Sequence, residues 1–235
     1  MKFAIIAAGE GSRLVREGVD LPKPLVTVGG EPMIERLARI FHENGAEETV
    51  IIVNRLHPET EVHVRKMAED GRFGLLRIVA KTTPSSMHSF YEISRFLKDE
   101  KFCLTTVDTI FREKEFTEYI KAFNASDSDG MMAVTDFVDD EKPLYVSVDA
   151  ENCINGFHDA DCGDAYISGG IYCLRPSALA TLHRCMAEGR SRMRNFQRAL
   201  LEDRLCLKAY PFSKILDVDH AGDIRKAEDF LRYGD

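Results

Sequence analysis

The sequence predicts an α/β fold, a doubly wound and mainly parallel sheet that gives way to an antiparallel section. Three observations carry this. Apolar runs of strand length alternate with helical patterns through the first half, the order that builds parallel strands through right-handed crossovers. In the second half, strand-like runs follow one another with only turn residues between them. The 235 residues are 44% hydrophobic and include 14 Phe and 7 Tyr, enough apolar surface to offset the entropy of ordering the chain.

Lys2–Ala7 reads as a buried strand, and 8–20 as a glycine-containing polar loop. Glu31–Asn44 is predicted helical, with Met33, Ile34, Leu37, Ile40 and Phe41 on one face and Gly45 as its stop. Thr49–Val53 is a second strand, followed by a helix near 58–69. Leu75–Ala80 is a third strand, Ser86–Leu97 a helix and Phe102–Val107 a fourth strand. Met131–Val138, Leu144–Val148, Cys153–Phe157 and Ala165–Leu174 are then strand-like, divided by turns such as Asp149–Asn152. These are expected to pair antiparallel, as a lid or substrate-facing layer. Helices near 176–187 and 192–203, strands near 205–210 and 214–218 and a helix over 221–233 close the pattern. There is no Pro/Ser-rich linker, repeat or low-complexity tract, so residues 1–235 are expected to form one domain.

The charge balance, 31 Lys+Arg against 39 Asp+Glu, is −8, which argues against broad binding of nucleic acid or membrane surfaces. It leaves room for a local anion pocket. No stretch approaches the roughly 20 apolar residues of a membrane span. The run Phe3–Ala8 is too short for a signal-peptide core. Six cysteines without a C-x-x-C pair read as reduced thiols in a cytoplasmic protein.

The most informative stretch is Ala7-Ala8-Gly9-Glu10-Gly11-Ser12-Arg13-Leu14, directly after the first strand. Loops at the carboxyl ends of parallel strands are where open α/β sheets bind ligands. Glycines let backbone N–H groups approach phosphate oxygens, and Arg13 adds a charge-assisted fork. Leu14 stands where a dinucleotide fingerprint needs Gly or Ala, and no Gly-Lys-Ser/Thr follows, so neither that fingerprint nor a P-loop fits. Taken alone, the glycines also suit any tight strand-to-helix turn. Downstream, Pro22 and Pro24 fix the backbone around Lys23. A rigidly presented ammonium suits phosphoryl or nucleotidyl transfer, where negative charge develops.

Ala8–Leu14, Pro22-Lys23-Pro24-Leu25-Val26 and Gly30-Glu31-Pro32-Met33-Ile34-Glu35 together resemble the signature of the nucleotidyltransferase family. The match is to its sugar-1-phosphate group, which includes small single-domain members that use CTP and phosphocholine. It is almost gapless from Ala8 to Glu35 and weaker over most of the remaining chain. The resemblance implies a Rossmann-like fold and a reaction of an NTP with a phosphorylated small-molecule acceptor, releasing pyrophosphate. The half up to about residue 125 would hold the nucleotide and the remainder the acceptor and closing segment. Backbone groups around Ala8, Gly9, Gly11 and Ser12 would hold the nucleotide. Arg13 would meet the departing phosphates, and Lys23 the α-phosphate and acceptor phosphate.

The family also places a magnesium-binding Asp at the end of the fourth strand. Here that is Asp108, preceded by Val107 where Gly is common. Capping of the next helix is the plainer role for Asp108, though it lies early for a helix starting near Arg112. The closing segment Ile215-Leu216-Asp217-Val218-Asp219-His220 resembles the family's acidic strand end. Asp217 and Asp219 share a face if the strand runs through both. Cytidylyltransferase-like members favour Asp219 as second ligand, and members with an Asp-Ile-Gly-Thr ending favour Asp217. Asp219 or His220 could instead cap the last helix. Two carboxylates with phosphate oxygens and waters suit Mg²⁺.

No Ser or Cys nucleophile is needed, because an acceptor phosphate with a second pKa of about 6 is mostly dianionic near neutral pH. His88 is the nearest base-like residue in the motifs, and a structural helix-face role suits it better. Ser86 and Ser89 open the helix that discriminates the base in the family; either could bind the base or ribose, or serve as a helix-start residue. Ser168-Gly169-Gly170-Ile171-Tyr172 resembles the acceptor-side segment, where Asn or Ala is commoner than Ser168. His158–Asp164 reads as a solvated acidic turn, or a loop near a cationic acceptor, rather than a metal site. The leading expectation is Mg²⁺-dependent nucleotidyl transfer to a sugar 1-phosphate. The alternatives are a cytidylyltransferase for a phosphorylated amino alcohol such as phosphocholine, and a nucleotide-binding regulatory protein without turnover.

Overall fold

Side chains along Lys2–Ala7 alternate between two faces, and every one from Phe3 onward is apolar and buried, so the strand needs cover on both sides. The computed structural model describes residues 1–139 and 141–233 and shows how that cover is built. β1 (Lys2–Ala7) leads through the short helix α1 (Ser12–Arg16) to a hairpin of β2 (Thr27–Val28) and β3 (Glu31–Pro32). Next come α2 (Met33–Glu43), β4 (Thr49–Val53), α3 (Pro58–Asp70), β5 (Leu76–Ala80), α4 (Ser86–Ser94) and β6 (Phe102–Thr106). β7 (Thr109–Ile110) and α5 (Glu113–Ala125) precede four strands, β8 (Gly130–Thr135), β9 (Tyr145–Val148), β10 (Ile154–His158) and β11 (Tyr166–Leu174). The chain closes through α6 (Ala178–Ala187), α7 (Met193–Glu202), β12 (Leu207–Pro211), β13 (Leu216–Asp217) and α8 (Ala221–Tyr233).

β1 pairs in parallel with β4 and β6, and β4 with β5, as the alternating first half predicts. Phe3, Ile5 and Ala7 face a core completed by Phe41 of α2, Phe116 of α5 and Phe230 of α8. Ala4 and Ile6 face a second core with Phe90 of α4, Leu182 of α6 and Phe196 of α7. One strand therefore feeds both hydrophobic layers, and the sheet is doubly wound. Each fully buried Phe of this kind contributes about 1.5–3 kcal/mol relative to exposure.

β8 to β11 pair antiparallel as expected, and they do so as part of the same nine-stranded sheet. β11 is long enough to pair antiparallel with β6, β8 and β9 along different stretches. Its register against β8 shifts between Ser168 and Tyr172, around Gly169 and Gly170. Gly170 has φ 73°, the left-handed backbone that favours glycine at the bulge, and a Cβ on Gly169 would press on the tip of Ile215. The buried Tyr119 hydroxyl ties the sheet together there, donating to Met131 O (2.6 Å) and accepting from Cys173 N–H (2.9 Å).

Several boundaries move for local reasons. The loop predicted over 8–20 contains α1. The helix expected from Glu31 begins at Met33, because Glu31 and Pro32 pair back onto Thr27 and Val28 across Gly29-Gly30, both with positive φ. The strand expected over 214–218 pairs only at Leu216–Asp217, with β7. Cys103, Cys173 and Cys185 are buried free thiols. Among the described residues no helix is long and apolar enough to cross a membrane.

Candidate active site

The short β7–β13 pair assembles the site. Leu216 stands opposite Ile110 and Asp217 opposite Thr109, and Val218 N–H donates to Asp108 O at 3.1 Å. The closing segment is thereby laid beside the turn that carries Asp108, at the carboxyl edge of the parallel strands. The glycine loop leaves β1 at the same edge. Gly11 has φ 62°, and a Cβ there would lie 3.1 Å from Lys23 Cβ, so only glycine lets the loop pack this closely on the Pro22-Lys23-Pro24 turn. Gly9 is different: a Cβ on it would meet nothing within 4 Å, and its φ is not positive.

These elements surround a cavity of about 510 Å³. It is lined by Ala8, Gly9, Gly11, Ser12, Arg13, Lys23, Ser86, Ser89, Asp108 and Asp219, which brings together all but three of the predicted site residues. The Lys23 ammonium sits between two carboxylates, donating to Asp108 Oδ2 and, at 2.6 Å, to Asp219 Oδ1. Arg13 Nη1 donates to Asp219 Oδ2 at 3.0 Å. Burial opposes the charge on Lys23, but Asp108 and Asp219 override it and raise its pKa. Burial likewise opposes ionisation of Asp108, and Lys23, with help from Thr106, holds its pKa down. Asp108 Oδ1 is buried and has no hydrogen-bond partner among the described residues.

Over residues 2–232 the chain matches the family described as nucleotidyl transferase. It belongs to that family. The chain is 27% identical over 188 residues to mannose-1-phosphate guanyltransferase of Schizosaccharomyces pombe, covering 76% of this chain and 51% of that protein. It is 26% identical over 163 residues to CMP-5'-(3-aminopropyl)phosphonate synthase of Streptomyces rubellomurinus, covering 60% of this chain and 25% of that protein. The chain thus spans about half or less of these curated relatives. The fold is shared with the inositol-1-phosphate CTP transferase from T. maritima at a TM-score of 0.82, over 99% of this chain and 96% of that one, with 18% identity.

Within this nucleotidyl transferase fold the remaining predicted residues lie apart. Asp217 does not line the first cavity, although Asp219, two residues on, does. Asp217 and Gly169 instead line a neighbouring cavity of about 460 Å³, to which Arg13 and Asp219 also contribute. Gly170 lines neither of these two cavities. The cap of α4 is Ser85, whose Oγ lies 2.8 Å from His88 Nδ1, which gives His88 a structural role. Ser89 is buried with its Oγ 2.6 Å from Thr83 Oγ1. In the 158–164 turn Asp159 is held by Arg194 and Arg198. No group of three metal-ligating side chains occurs among the described residues.

Two supporting residues are not singled out by the sequence motifs. Asn54, buried just after β4, donates to Ala8 O at 3.0 Å and accepts from Thr82 and Leu56, bracing the glycine loop. A polar residue directly after a fully buried parallel strand is the signal that could have found it. Glu17 reaches from the end of α1 to His220 Nδ1 (2.6 Å) and Ala221 N–H (2.7 Å), fastening the glycine-loop helix to the segment that carries Asp219. Its hydrogen bond with His220 lowers the Glu17 pKa and raises that of His220.

Proposed function

We propose that this chain transfers a nucleotidyl group from an NTP to a sugar 1-phosphate, giving an NDP-sugar and pyrophosphate. The observation that carries the reading is the convergence of Arg13, Lys23, Asp108 and Asp219 on one cavity at the carboxyl edge of the parallel strands. The acceptor phosphate supplies its own nucleophilic oxygen, which attacks the α-phosphorus in line as the bond to pyrophosphate breaks. The protein's share is then positioning and charge. Lys23 sits rigidly where charge develops on the transferred phosphoryl group, and Arg13 meets the departing phosphates. Backbone groups of Ala8, Gly9, Gly11 and Ser12 bind the nucleotide phosphates, with Ser86 and Ser89 toward base and ribose. The acceptor lies in the neighbouring cavity beside Gly169, and Gly170 shapes that edge through the bulge.

Asp108 and Asp219 fit a hard divalent ion, since both are carboxylates, they converge, and Asp108 keeps a buried oxygen without a partner. These two residues would hold Mg²⁺, and bound there it would neutralise charge on the reacting phosphate oxygens. The reading extends to one cytoplasmic catalytic domain with reduced thiols.

A phosphorylated amino alcohol is the second acceptor class, favoured by one observation. Asp139, Glu141, Asp217, Asp219 and Asp223 line the neighbouring cavity, more than Arg13 and Lys226 can balance. An ammonium-bearing acceptor would complement that charge. Incubation with each NTP against sugar 1-phosphates and amino-alcohol phosphates, scored by pyrophosphate release, separates the two. NTP binding with no pyrophosphate release from any pairing would overturn both and leave a nucleotide-binding regulator.

A further inference from the structure

Four charged groups at the centre of the site cancel. Asp108 and Asp219 contribute two negative charges, and Lys23 and Arg13 two positive ones, all joined by direct contacts. The Lys23 ammonium occupies the position between the two carboxylates, taking one oxygen of each. Its side chain is only 10% exposed and its backbone is fixed by Pro22 and Pro24, so it has little freedom to leave for bulk water. Within the cavity its alternative partner is an anion that enters with the substrate.

We propose that the Lys23 ammonium and a divalent cation are alternative occupants of the Asp108–Asp219 pair. The inference rests on the metal assignment made for these two carboxylates and adds that the pair is already filled by the protein's own cation. A divalent ion arriving without nucleotide must displace Lys23, and Lys23 must then carry its charge unpaired. A nucleotide phosphate removes that penalty by receiving the ammonium. By linkage, phosphate binding at Lys23 and metal binding at the carboxylates therefore strengthen each other by the same factor. An ion that can bind only when Lys23 is absent from the pair has an apparent affinity lowered by the fraction of time the pair is free.

Mn²⁺ serves as the probe, with the free ion read by electron paramagnetic resonance and no nucleotide present. Lys23→Met should bind Mn²⁺ about tenfold or more tightly than the unmodified protein, as expected if the ammonium holds the pair more than nine-tenths of the time. Lys23→Gln supplies the same comparison should the methionine variant not fold. Lys23→Arg, which keeps the charge, should remain as weak as the unmodified protein. Adding Asp108→Asn to Lys23→Met should abolish the gain and so locate the ion. Equal Asp108-dependent affinity with and without the Lys23 charge overturns the competition and leaves the metal assignment standing. An arginine variant as tight as the methionine variant also overturns it. No Asp108-dependent Mn²⁺ binding in any of the proteins removes the metal assignment and the competition with it.

Discussion

The Lys23 ammonium lies 2.6 Å from Asp219 Oδ1, although 196 positions separate the two residues. The contact exists because β13 pairs with β7, which sets the closing segment against Asp108 at the edge where the glycine loop leaves β1. Lys23 is thus the hub through which the two ends of the chain and the β6–β7 turn meet.

Replacing that hub should act on turnover. Lys23→Ala is expected to lower kcat by about 10²-fold or more, with a much smaller change in nucleotide affinity, because the charge acts where the transition state gains its own. Steady-state kinetics with saturating acceptor reads this directly. Activity within a few-fold of the unmodified enzyme would remove Lys23 from the mechanism.

The Arg13 guanidinium donates to Asp219 and is half-exposed where it lines the cavity. Arg13→Ala should therefore raise KM for NTP and reduce turnover together. An unchanged KM for NTP would show that the guanidinium does not meet the phosphates.

The two loop glycines should separate folding from binding. Gly11→Ala forces a left-handed backbone onto alanine and presses on Lys23 Cβ, so it should destabilise by more than about 1 kcal/mol and impair turnover. Gly9→Ala meets no protein atom within 4 Å and should leave thermal stability within about 0.5 kcal/mol while weakening NTP binding. Thermal melts and nucleotide titrations of the two variants make the comparison. Equal loss of stability in both would contradict it.

Stability at low pH should depend on Glu113. Arg39 forks onto its carboxylate at 2.9 and 3.1 Å, and that bond holds the Glu113 pKa below its ordinary value against partial burial. A lowered folded-state pKa stabilises above the unfolded value, near 4.3, and the contribution is lost as pH falls through the folded value. Glu113→Gln should melt lower at pH 7 by at most about 2–4 °C, since half-exposed pairs are screened. Below about pH 4 the gap should close, and a gap that widens there would refute the assignment.

The strands of the parallel half were legible because β1, β4 and β6 are short runs of apolar and β-branched residues separated by helical patterns. Gly11 and Lys23 were legible from local chemistry, since a glycine turn and a proline-flanked lysine carry their own geometry. Asp219 against Asp217 was not. Both read as one strand face, and that Asp219 rather than Asp217 lines the cavity of Lys23 and Asp108 follows from how the closing segment is laid against β7, a tertiary event with no local signal. Glu17 is defined by partners far along the chain and has no local signal, whereas Asn54 is marked locally only by its place directly after a buried strand. The antiparallel strands were visible, but their place in the common sheet depends on β11 pairing with three neighbours at once.

The central claim is that one cavity performs nucleotidyl transfer through a pair of carboxylates serving one function. Pyrophosphate release by Asp108→Asn, Asp219→Asn and the double variant tests it most directly, with Asp217→Asn alongside. Each single change should remove most activity, and the double should be scarcely worse than either, because groups that act as a unit are not additive. Asp217→Asn should cost less than Asp219→Asn. Single variants that retain near-normal pyrophosphate release, or losses that multiply in the double variant, would contradict the account.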